Sequence, residues 1–233
     1  RELERALVPW ARKKLEPVLL DQFISPAPQY YRDAAAKVRE AGSRREVNMA
    51  TLKRFGRLWI RNLAKNLTTL AEAENAGNLE EAAGGLPVLL LAAGPSLDDT
   101  MPLLKSIRDK VVIITVGTAY KPLRRAGIVP DFAMVMDGKE VLKRRFEGVS
   151  TDGTVLLAPA QITPAIYAEF GPERIITFAT GALSAFEMCM QEWGMSAQYL
   201  RAAGTVTISA VAAAAFFGCR NLYCFGVDLA GRK

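Results

Sequence analysis

The stretch PVLLLAAGPSL, residues 87–97, decides the fold of this chain. Its apolar first half is typical of a buried β-strand, and the strand character stops abruptly at the small residues 92–96. The acidic pair Asp98-Asp99 then begins a predicted helix. A strand that turns through small residues into a helix is typical of the phosphate-binding corner of a doubly wound α/β domain, because the free N–H groups of the first helical turn face the ligand.

Downstream of residue 85 the sequence alternates between strand-like and helical segments. Strands are predicted at 88–91, 111–116, 132–136, 155–158, 175–178 and 222–225, and helices at 101–107, 120–126, 140–146, 164–170, 183–192 and 206–217. Strand and helix in alternation, joined by short turns, predict an α/β fold of the Rossmann-like type. We expect a mostly parallel sheet with helices on both faces.

The residues before Gly84-Gly85 have helical periodicity instead. Apolar side chains recur three and four positions apart, which predicts one face of a long amphipathic helix; they are Leu52, Phe55, Trp59, Leu63, Leu67 and Leu70. We therefore divide the chain into a helical N-terminal region, residues 1–85, and a Rossmann-like nucleotide-binding domain, residues 86–233. Because the sequence stops just past a predicted strand end, where a ligand should bind, we expect the natural protein to continue.

Charge is concentrated in one segment. The net charge is +6, and residues 37–65 contain nine basic and two acidic residues. A local basic patch predicts an anionic partner rather than general nucleic-acid binding, or simply a solvated helix face. The sequence leaves the role of this segment open.

Residue types that are rare or absent exclude several classes of site. The chain has no histidine, which excludes a Ser-His-Asp triad, a histidine-ligated zinc site and an imidazole base within it. Its three cysteines form no CxxC motif and are predicted to be buried free thiols. No apolar run reaches the roughly 18 residues of a membrane span, and no secretory signal is visible, so we predict a cytoplasmic protein.

Four predicted strand ends carry residues that could do chemistry. They are Gly94-Pro95-Ser96, Gly117-Thr118, Asp137-Gly138 and Asp228. Because the carboxyl ends of parallel strands meet at one edge of a sheet, we expect these residues to converge. Gly94, Pro95 and Ser96 could hold a phosphate through backbone N–H groups and the Ser96 hydroxyl, or form an ordinary turn with Ser96 as a helix cap.

The remaining candidates each allow two interpretations. Asp137 and Asp228 could bind a ribose, a sugar or a magnesium ion, or could be solvated turn residues. Thr118 either contacts a ligand or caps the following helix. Thr205 and Thr207 begin an alanine-rich helix, where small residues allow a ligand or a neighbouring strand to approach closely.

Three segments together resemble the motility accessory factor (Maf) family, predicted transferases of nonulosonic acids to flagellin. They are AAGPSL (92–97), TVGTAYKPLRRAGIVPDFAMVMD (115–137) and GTVTISAVAAAAFFGCRNLYCFGVDLA (204–230). They are also similar to bacterial sialyltransferases that use CMP-sialic acid, which carry a Gly-x-Gly-Pro-Ser loop and a late Gly-Ile-Asp. The resemblance extends over roughly residues 51–230.

This resemblance implies a glycosyltransferase that moves a CMP-activated nine-carbon acid sugar to a Ser or Thr hydroxyl of a flagellin-like protein, without a required cofactor. It places Gly94, Pro95 and Ser96 near the nucleotide phosphate, Thr118 and Asp137 near the nucleotide or sugar, and Thr205 and Thr207 at the border of the donor pocket. A base must deprotonate the acceptor hydroxyl, and Asp137 and Asp228 are the candidates.

Two alternatives remain open. The same broad domain family includes archaeal 6-hydroxymethylpterin diphosphokinases, which need ATP and magnesium, with Asp137 and Asp228 then resembling their metal ligands. The second alternative is a non-catalytic flagellin-binding module. It is motivated by the missing histidine and by Ala92, which stands where the related sialyltransferases have the first glycine of their loop.

Overall fold

The computed structural model describes residues 16–20, 22, 25–181, 183–192, 200 and 205–228. The chain divides into two compact units, Arg1–Arg57 and Leu58–Lys233. One long helix, α1 (Pro28–Glu72), contributes residues to both units. Residues 58–85 therefore group with the sheet that follows them, while the functional division predicted near Gly84-Gly85 stays a prediction.

The first unit is described mainly by the N-terminal part of α1. The helix begins at a proline, which suits the first helical turn because the missing N–H would have no partner there. The Tyr30 and Tyr31 rings pack edge to face with centroids 5.3 Å apart. The Arg54 guanidinium lies 5.2 Å from the centre of the Phe55 ring. Arg54 and Arg57 are solvent-exposed, as expected for the basic face of this helix.

The second unit is built on a seven-stranded sheet with the order β1-β6-β5-β4-β3-β2-β7. Every neighbouring pair in it is parallel. The strands are β1 (Glu74–Asn75), β2 (Val88–Leu91), β3 (Val112–Val116), β4 (Phe132–Met134), β5 (Val155–Pro159), β6 (Ile175–Phe178) and β7 (Leu222–Phe225). The predicted parallel α/β fold is confirmed. The two-residue strand β1 was not predicted, because it is too short to carry a periodic pattern.

Helices connect the strands. They are α2 (Ser96–Ile107), α3 (Gly117–Arg125), α4 (Pro164–Phe170), α5 (Ser184–Glu192) and α6 (Val206–Phe216), with 3₁₀ helices at Ala76–Leu79, Arg108–Lys110, Glu140–Arg145 and Pro172–Arg174. The helical stretch predicted near 140–146 is a 3₁₀ helix at Glu140–Arg145. Leu142 and Phe146 are buried in the 3₁₀ form, so the apolar spacing that indicated a helix is satisfied in that form.

The central strands are buried on both faces. Leu89 and Leu91 pack in one apolar cluster with residues of α2 and α3. Leu90 packs in another with Ala210 and Ala213 of α6. This alternation follows from the two-residue period of a strand, and burial of both faces explains why β2 is continuously apolar.

The C-terminal part of α1 packs on the sheet unit through a face that contains two asparagines. Asn62 and Asn66 are 4% and 1% exposed, whereas Leu67 is 47% exposed. Leu63 and Leu70 are buried as the apolar stripe predicted. Leu52 is 40% exposed, so Leu52 and Leu67 are both corrections to that stripe. The buried positions are taken by amide side chains because they face backbone carbonyls, as described below.

The cysteines are free, as predicted, but the prediction that they are buried is wrong for two of them. Cys189 and Cys224 are exposed and Cys219 is partly buried. Cys224 lies on β7, the edge strand of the sheet, which has a neighbouring strand on one side. Within the described residues, the helices lack the combination of length and apolarity required to cross a bilayer.

The Asn66 side chain can be tested by removing it. Its Nδ2 group donates to the carbonyls of Ala160 and Ile162, each at 2.9 Å. Asn66→Ala leaves both carbonyls without this donor, so we expect the free energy of unfolding to fall by about 2 to 4 kcal/mol. Urea unfolding followed by circular dichroism measures this. The control Asn48→Ala, at an exposed position of the same helix, should change it by less than about 0.5 kcal/mol; equal effects would contradict the assignment.

Candidate functional site

The topology places a reversal of strand order at β2. The chain moves from β2 through β3, β4 and β5 to β6 on one side, and then returns to add β7 on the other side of β2. In open α/β sheets, ligands bind where the strand order reverses in this way, outside the carboxyl ends of the strands. The residues predicted to bind phosphate lie in this region, directly after β2.

Hydrogen bonds join the loop after β2 to the loop after β7. The Ser96 N–H donates to Asp228 Oδ2 at 2.8 Å, and the Ser96 hydroxyl donates to Asp228 Oδ1 at 2.6 Å. The same hydroxyl oxygen accepts a bond from the Gly226 N–H at 2.9 Å. The Gly94 N–H donates to the Gly226 carbonyl at 2.8 Å. The structure therefore brings together Gly94, Ser96 and Asp228, as the sequence predicted.

The glycines in these loops are required by close approach. A Cβ on Gly94 would lie 2.5 Å from Asp228 Oδ2 and 2.6 Å from the Gly226 carbonyl oxygen. Gly226 has a φ of 69°, and a Cβ there would collide with the Ala92 carbonyl. Ala92 itself is buried in the apolar cluster on the α6 side of the sheet. The methyl group that departs from the sialyltransferase pattern is thus part of the core.

Groups of the chain itself already accept hydrogen bonds from the donors of Gly94 and Ser96 that were predicted to bind phosphate. The pKa of Asp228 is lowered, first by the Ser96 hydroxyl and then by the Ser96 N–H. The next two amides of α2 also have partners, since Leu97 N–H donates to the Gly94 carbonyl and Asp98 N–H to the Pro95 carbonyl. A carboxylate of this chain already lies at the N-terminus of α2, where negative charge is favoured. Phosphate binding by Gly94, Pro95 and Ser96 stays a prediction.

The turn between β3 and α3 has a different arrangement. Within the described residues, no side chain accepts a hydrogen bond from the N–H groups of Gly117, Thr118 or Ala119, and the first turn contains no acidic residue. Thr118 is exposed, and Val116 rather than Thr118 occupies the cap position. The alternative that Thr118 caps the helix is therefore wrong, and its contact with a ligand stays a prediction.

Asp137 lies in the next turn, after β4. Its Oδ1 accepts from the Lys139 N–H at 3.1 Å, and its Oδ2 lies 3.3 Å from Lys139 Nζ. The Asp137 side chain is 43% exposed. Burial lowers the pKa of Arg145, and the nearby Asp137 carboxylate opposes that shift. This turn therefore combines an accessible carboxylate with a partly buried guanidinium.

The helix α1 contributes to the same turn through Asn62. Its Nδ2 donates to the Gly138 carbonyl at 2.9 Å and to the Gln161 carbonyl at 3.1 Å. A Cβ on Gly138 would lie 2.8 Å from the Gln161 carbonyl oxygen and 3.2 Å from Trp59 Cδ1. Sequence reasoning assigned no role to Asn62 or Asn66. The available signal was a pair of amide residues four positions apart within an apolar stripe.

Thr205 and Thr207 lie at the start of α6. The Thr205 hydroxyl oxygen accepts from the Ile208 N–H at 3.3 Å, so Thr205 caps this helix. In the described part of the chain, no hydrogen bond joins either threonine to the other candidate residues. The buried Ala213 and Ala214 support the interpretation that small residues allow α6 to pack closely on the sheet. Donor contact by Thr205 and Thr207 stays a prediction.

A concavity that sequence reasoning missed lies at the carboxyl ends of β1, β5 and β6. Gln161 and Glu187 supply polar groups to its lining, and Phe178, Leu183 and Phe186 supply apolar ones. Glu187 is 5% exposed. Its carboxylate accepts hydrogen bonds from the backbone N–H groups of residues 180 and 181 at 3.0 to 3.1 Å. Glu187 therefore has a structural function in shaping the loop after β6.

The pairing of Ser96 with Asp228 predicts a pH dependence. Because the Asp228 pKa is below its usual value of 3.8 in the folded chain, the ionised carboxylate stabilises the fold above that pH. This stabilisation disappears as the pH falls through the lower, folded pKa. Ser96→Ala removes the larger cause of the shift, so we expect the Asp228 pKa to rise.

A ¹³C titration of the aspartate carboxyls between pH 2 and 7 measures that rise. The control is Ser106→Ala, a serine of the same helix whose hydroxyl donates to the Leu103 carbonyl. It should leave the Asp228 titration unchanged. An Asp228 pKa that is the same in Ser96→Ala and in the unmodified chain would refute the pairing.

Comparisons with known proteins agree with this architecture. A solved MAf glycosyltransferase from Magnetospirillum magneticum AMB-1 is 31% identical to this chain, with a TM-score of 0.56, over 64% of this chain and 24% of that one. Two uncharacterised proteins from Treponema pallidum (strain Nichols) are 35% and 32% identical over 81 and 87 residues, which are 35% and 36% of this chain. The chain spans 28% and 39% of the lengths of these two relatives.

A family model covers most of the chain. The model for 6-hydroxymethylpterin diphosphokinase MptE-like proteins matches residues 61–233. The matched region includes the C-terminal part of α1, the whole sheet and every candidate residue discussed above. The resemblance to Maf and MptE-like proteins that the sequence motifs indicated is confirmed: the chain belongs to the MptE-like family.

Proposed function

We propose that this chain carries the donor-binding part of a glycosyltransferase. The donor is a CMP-activated nonulosonic acid, and the acceptor is a Ser or Thr hydroxyl of a flagellin-like protein in the cytoplasm. The observation that carries the proposal is the 31% identity to the MAf glycosyltransferase over 64% of this chain. Because the chain spans 24% of that enzyme, the complete reaction belongs to the proposal.

The proposed reaction places two demands on the carboxyl edge of the sheet. A CMP-activated sugar leaves through an oxocarbenium-like transition state, so negative charge grows on the departing phosphate. Helix N-termini and hydrogen-bond donors that already point at this position stabilise the charge without reorganisation. The turn at Gly117-Thr118 offers such N–H groups, and they are not used by side chains of the described residues.

The second demand is a base for the acceptor hydroxyl. A general base works best when its pKa lies near the working pH. Asp228 fits this poorly, because its two oxygens accept hydrogen bonds from Ser96 and its pKa is lowered. Asp137 is accessible and is held by the exposed Lys139. We therefore assign the base to Asp137, and to Asp228 the positioning of the loop after β2.

The second candidate function is a magnesium- and ATP-dependent diphosphokinase, which the name of the matching family model favours. In that case Asp137 and Asp228 would be the metal ligands. Each has a partner within the chain, Lys139 and Ser96 respectively. The described residues contain no group of three or more acidic, histidine or cysteine side chains suited to holding a metal ion. The glycosyltransferase is the leading candidate because of the 31% identity to the MAf glycosyltransferase.

Nucleotide binding separates these functions. We expect CMP and CDP to raise the thermal unfolding temperature without magnesium, since a ligand at a hundred times its Kd adds about 2.7 kcal/mol of stability. UMP, GMP and ATP, each with and without magnesium, complete the series. Stabilisation by ATP with magnesium alone would support the diphosphokinase. Binding to a flagellin-like protein with no response to any nucleotide would support the non-catalytic module.

The role of Asp137 is tested in the full-length protein. Asp137→Asn should lower the rate of sugar transfer by about 100- to 10,000-fold, the usual contribution of a general base, while the affinity for CMP changes little. The control is Asp109→Asn, an exposed aspartate that precedes β3 at the opposite edge of the sheet. If Asp137→Asn weakens CMP binding and leaves the transfer rate of bound donor unchanged, Asp137 is not the base.

A further inference from the structure

Arg145 is a charged side chain at the carboxyl edge of the sheet that none of the predicted roles uses. It is the last residue of the 3₁₀ helix Glu140–Arg145 and is partly buried. Leu142 and Phe146, on either side of it in sequence, are buried in the apolar core. Core packing therefore fixes the backbone from which the Arg145 side chain extends.

The sequence leaves room for this side chain at Gly117. A Cβ on Gly117 would lie 3.3 Å from both Cδ and Nη1 of Arg145, which is closer than ordinary van der Waals contact. Gly117 is not among the glycines with a positive φ, so the backbone does not need a glycine there. What glycine provides at this position is space for the arginine beside the turn at Gly117-Thr118.

Within the described residues, the Arg145 guanidinium makes no hydrogen bond and no ion pair within 4 Å. The charge of the Asp137 carboxylate acts on Arg145, but that carboxylate is engaged by Lys139. Burial disfavours the charged form of Arg145. No side-chain nitrogen of the described residues is buried without a partner, so the Arg145 N–H groups reach solvent. A ligand oxyanion that approaches from solvent can accept two parallel N–H bonds from them.

We propose that Arg145 binds an oxyanion of the donor at the turn formed by Gly117 and Thr118. This rests on the proposed function, since a CMP-activated acid sugar carries two oxyanions, a phosphate and a carboxylate. The planar guanidinium can hold either group through a pair of hydrogen bonds. Arg145 is thereby a specificity residue that separates charged donors from neutral nucleosides or sugars.

The test compares affinities by calorimetry on the complete chain, with CMP, cytidine, UMP, ATP and a free nonulosonic acid as probes. We expect Arg145→Gln to weaken CMP binding by about 30-fold and cytidine binding by less than twofold. The affinity of Arg145→Lys for CMP should lie between those of Arg145→Gln and the unmodified chain, because the lysine amine keeps the charge and loses the paired hydrogen-bond geometry. The matched control is Arg144→Gln, an exposed neighbour that should change either affinity by less than twofold.

The outcomes separate this inference from the proposed function. A loss confined to the free acid assigns the carboxylate to Arg145, and a loss confined to CMP assigns the phosphate. If UMP or ATP binds and CMP does not, and Arg145→Gln weakens the binding of that nucleotide, the role proposed for Arg145 holds. The proposed CMP-activated donor is then wrong. Equal weakening of CMP and cytidine, unchanged affinities for every probe, or no binding of any probe to the unmodified chain overturns the inference.

Discussion

The hydrogen bonds between Ser96 and Asp228 are the constraint on which the arrangement of the sheet edge depends. They join residues 132 positions apart and fix the loop after β2 against the loop after β7. Neither loop could approach the other if Gly94 or Gly226 carried a side chain. The ionised carboxylate also lies at the N-terminus of α2, where it is stabilised by the helix. The Ser96 and Asp228 side chains thus join the two loops at the strand reversal, and the carboxylate accepts a hydrogen bond from the first turn of α2.

A second set of polar contacts holds the neighbouring turns. Asn62 and Asn66, one helical turn apart on α1, donate to four backbone carbonyls in the turns after β4 and β5. These carbonyls are buried, and the strands leave them without sheet partners, so the two amides complete their hydrogen bonding. The helix that precedes the sheet in sequence is therefore part of the framework that orients Gly138 and Asp137. The family model, which begins at residue 61, includes this part of the helix.

The parallel sheet could be predicted because its determinants are local. Apolar runs such as 88–91 have the length of strands, and the small residues at 92–96 mark where one of them ends. The convergence of Ser96 and Asp228 followed from the rule that parallel strands end at one edge. The roles of Asn62, Asn66 and Arg145 could not be predicted, because each depends on a partner 28 to 99 positions away, as for Arg145 with Gly117 and Asn62 with Gln161. The role of an amide side chain within an apolar stripe cannot be predicted until the carbonyl to which it donates is known. The same holds for Leu67, whose exposure is decided by what lies opposite the helix.

The position of β7 beside β2 has a consequence for the order in which the domain is made. During synthesis, the strands β2 to β6 leave the ribosome well before Asp228. Ser96, at the start of α2, therefore lacks its hydrogen-bond acceptor until Asp228 has been made. Closing a loop of this length is entropically costly and slow compared with forming local helices. The corner at the strand reversal therefore cannot be completed until β7 and Asp228 have been synthesised, although β2 is among the earliest strands to be translated. A nascent chain that stalls directly before residue 228 would contain the seven described strands but lack the carboxylate that joins the loop after β2 to the loop after β7.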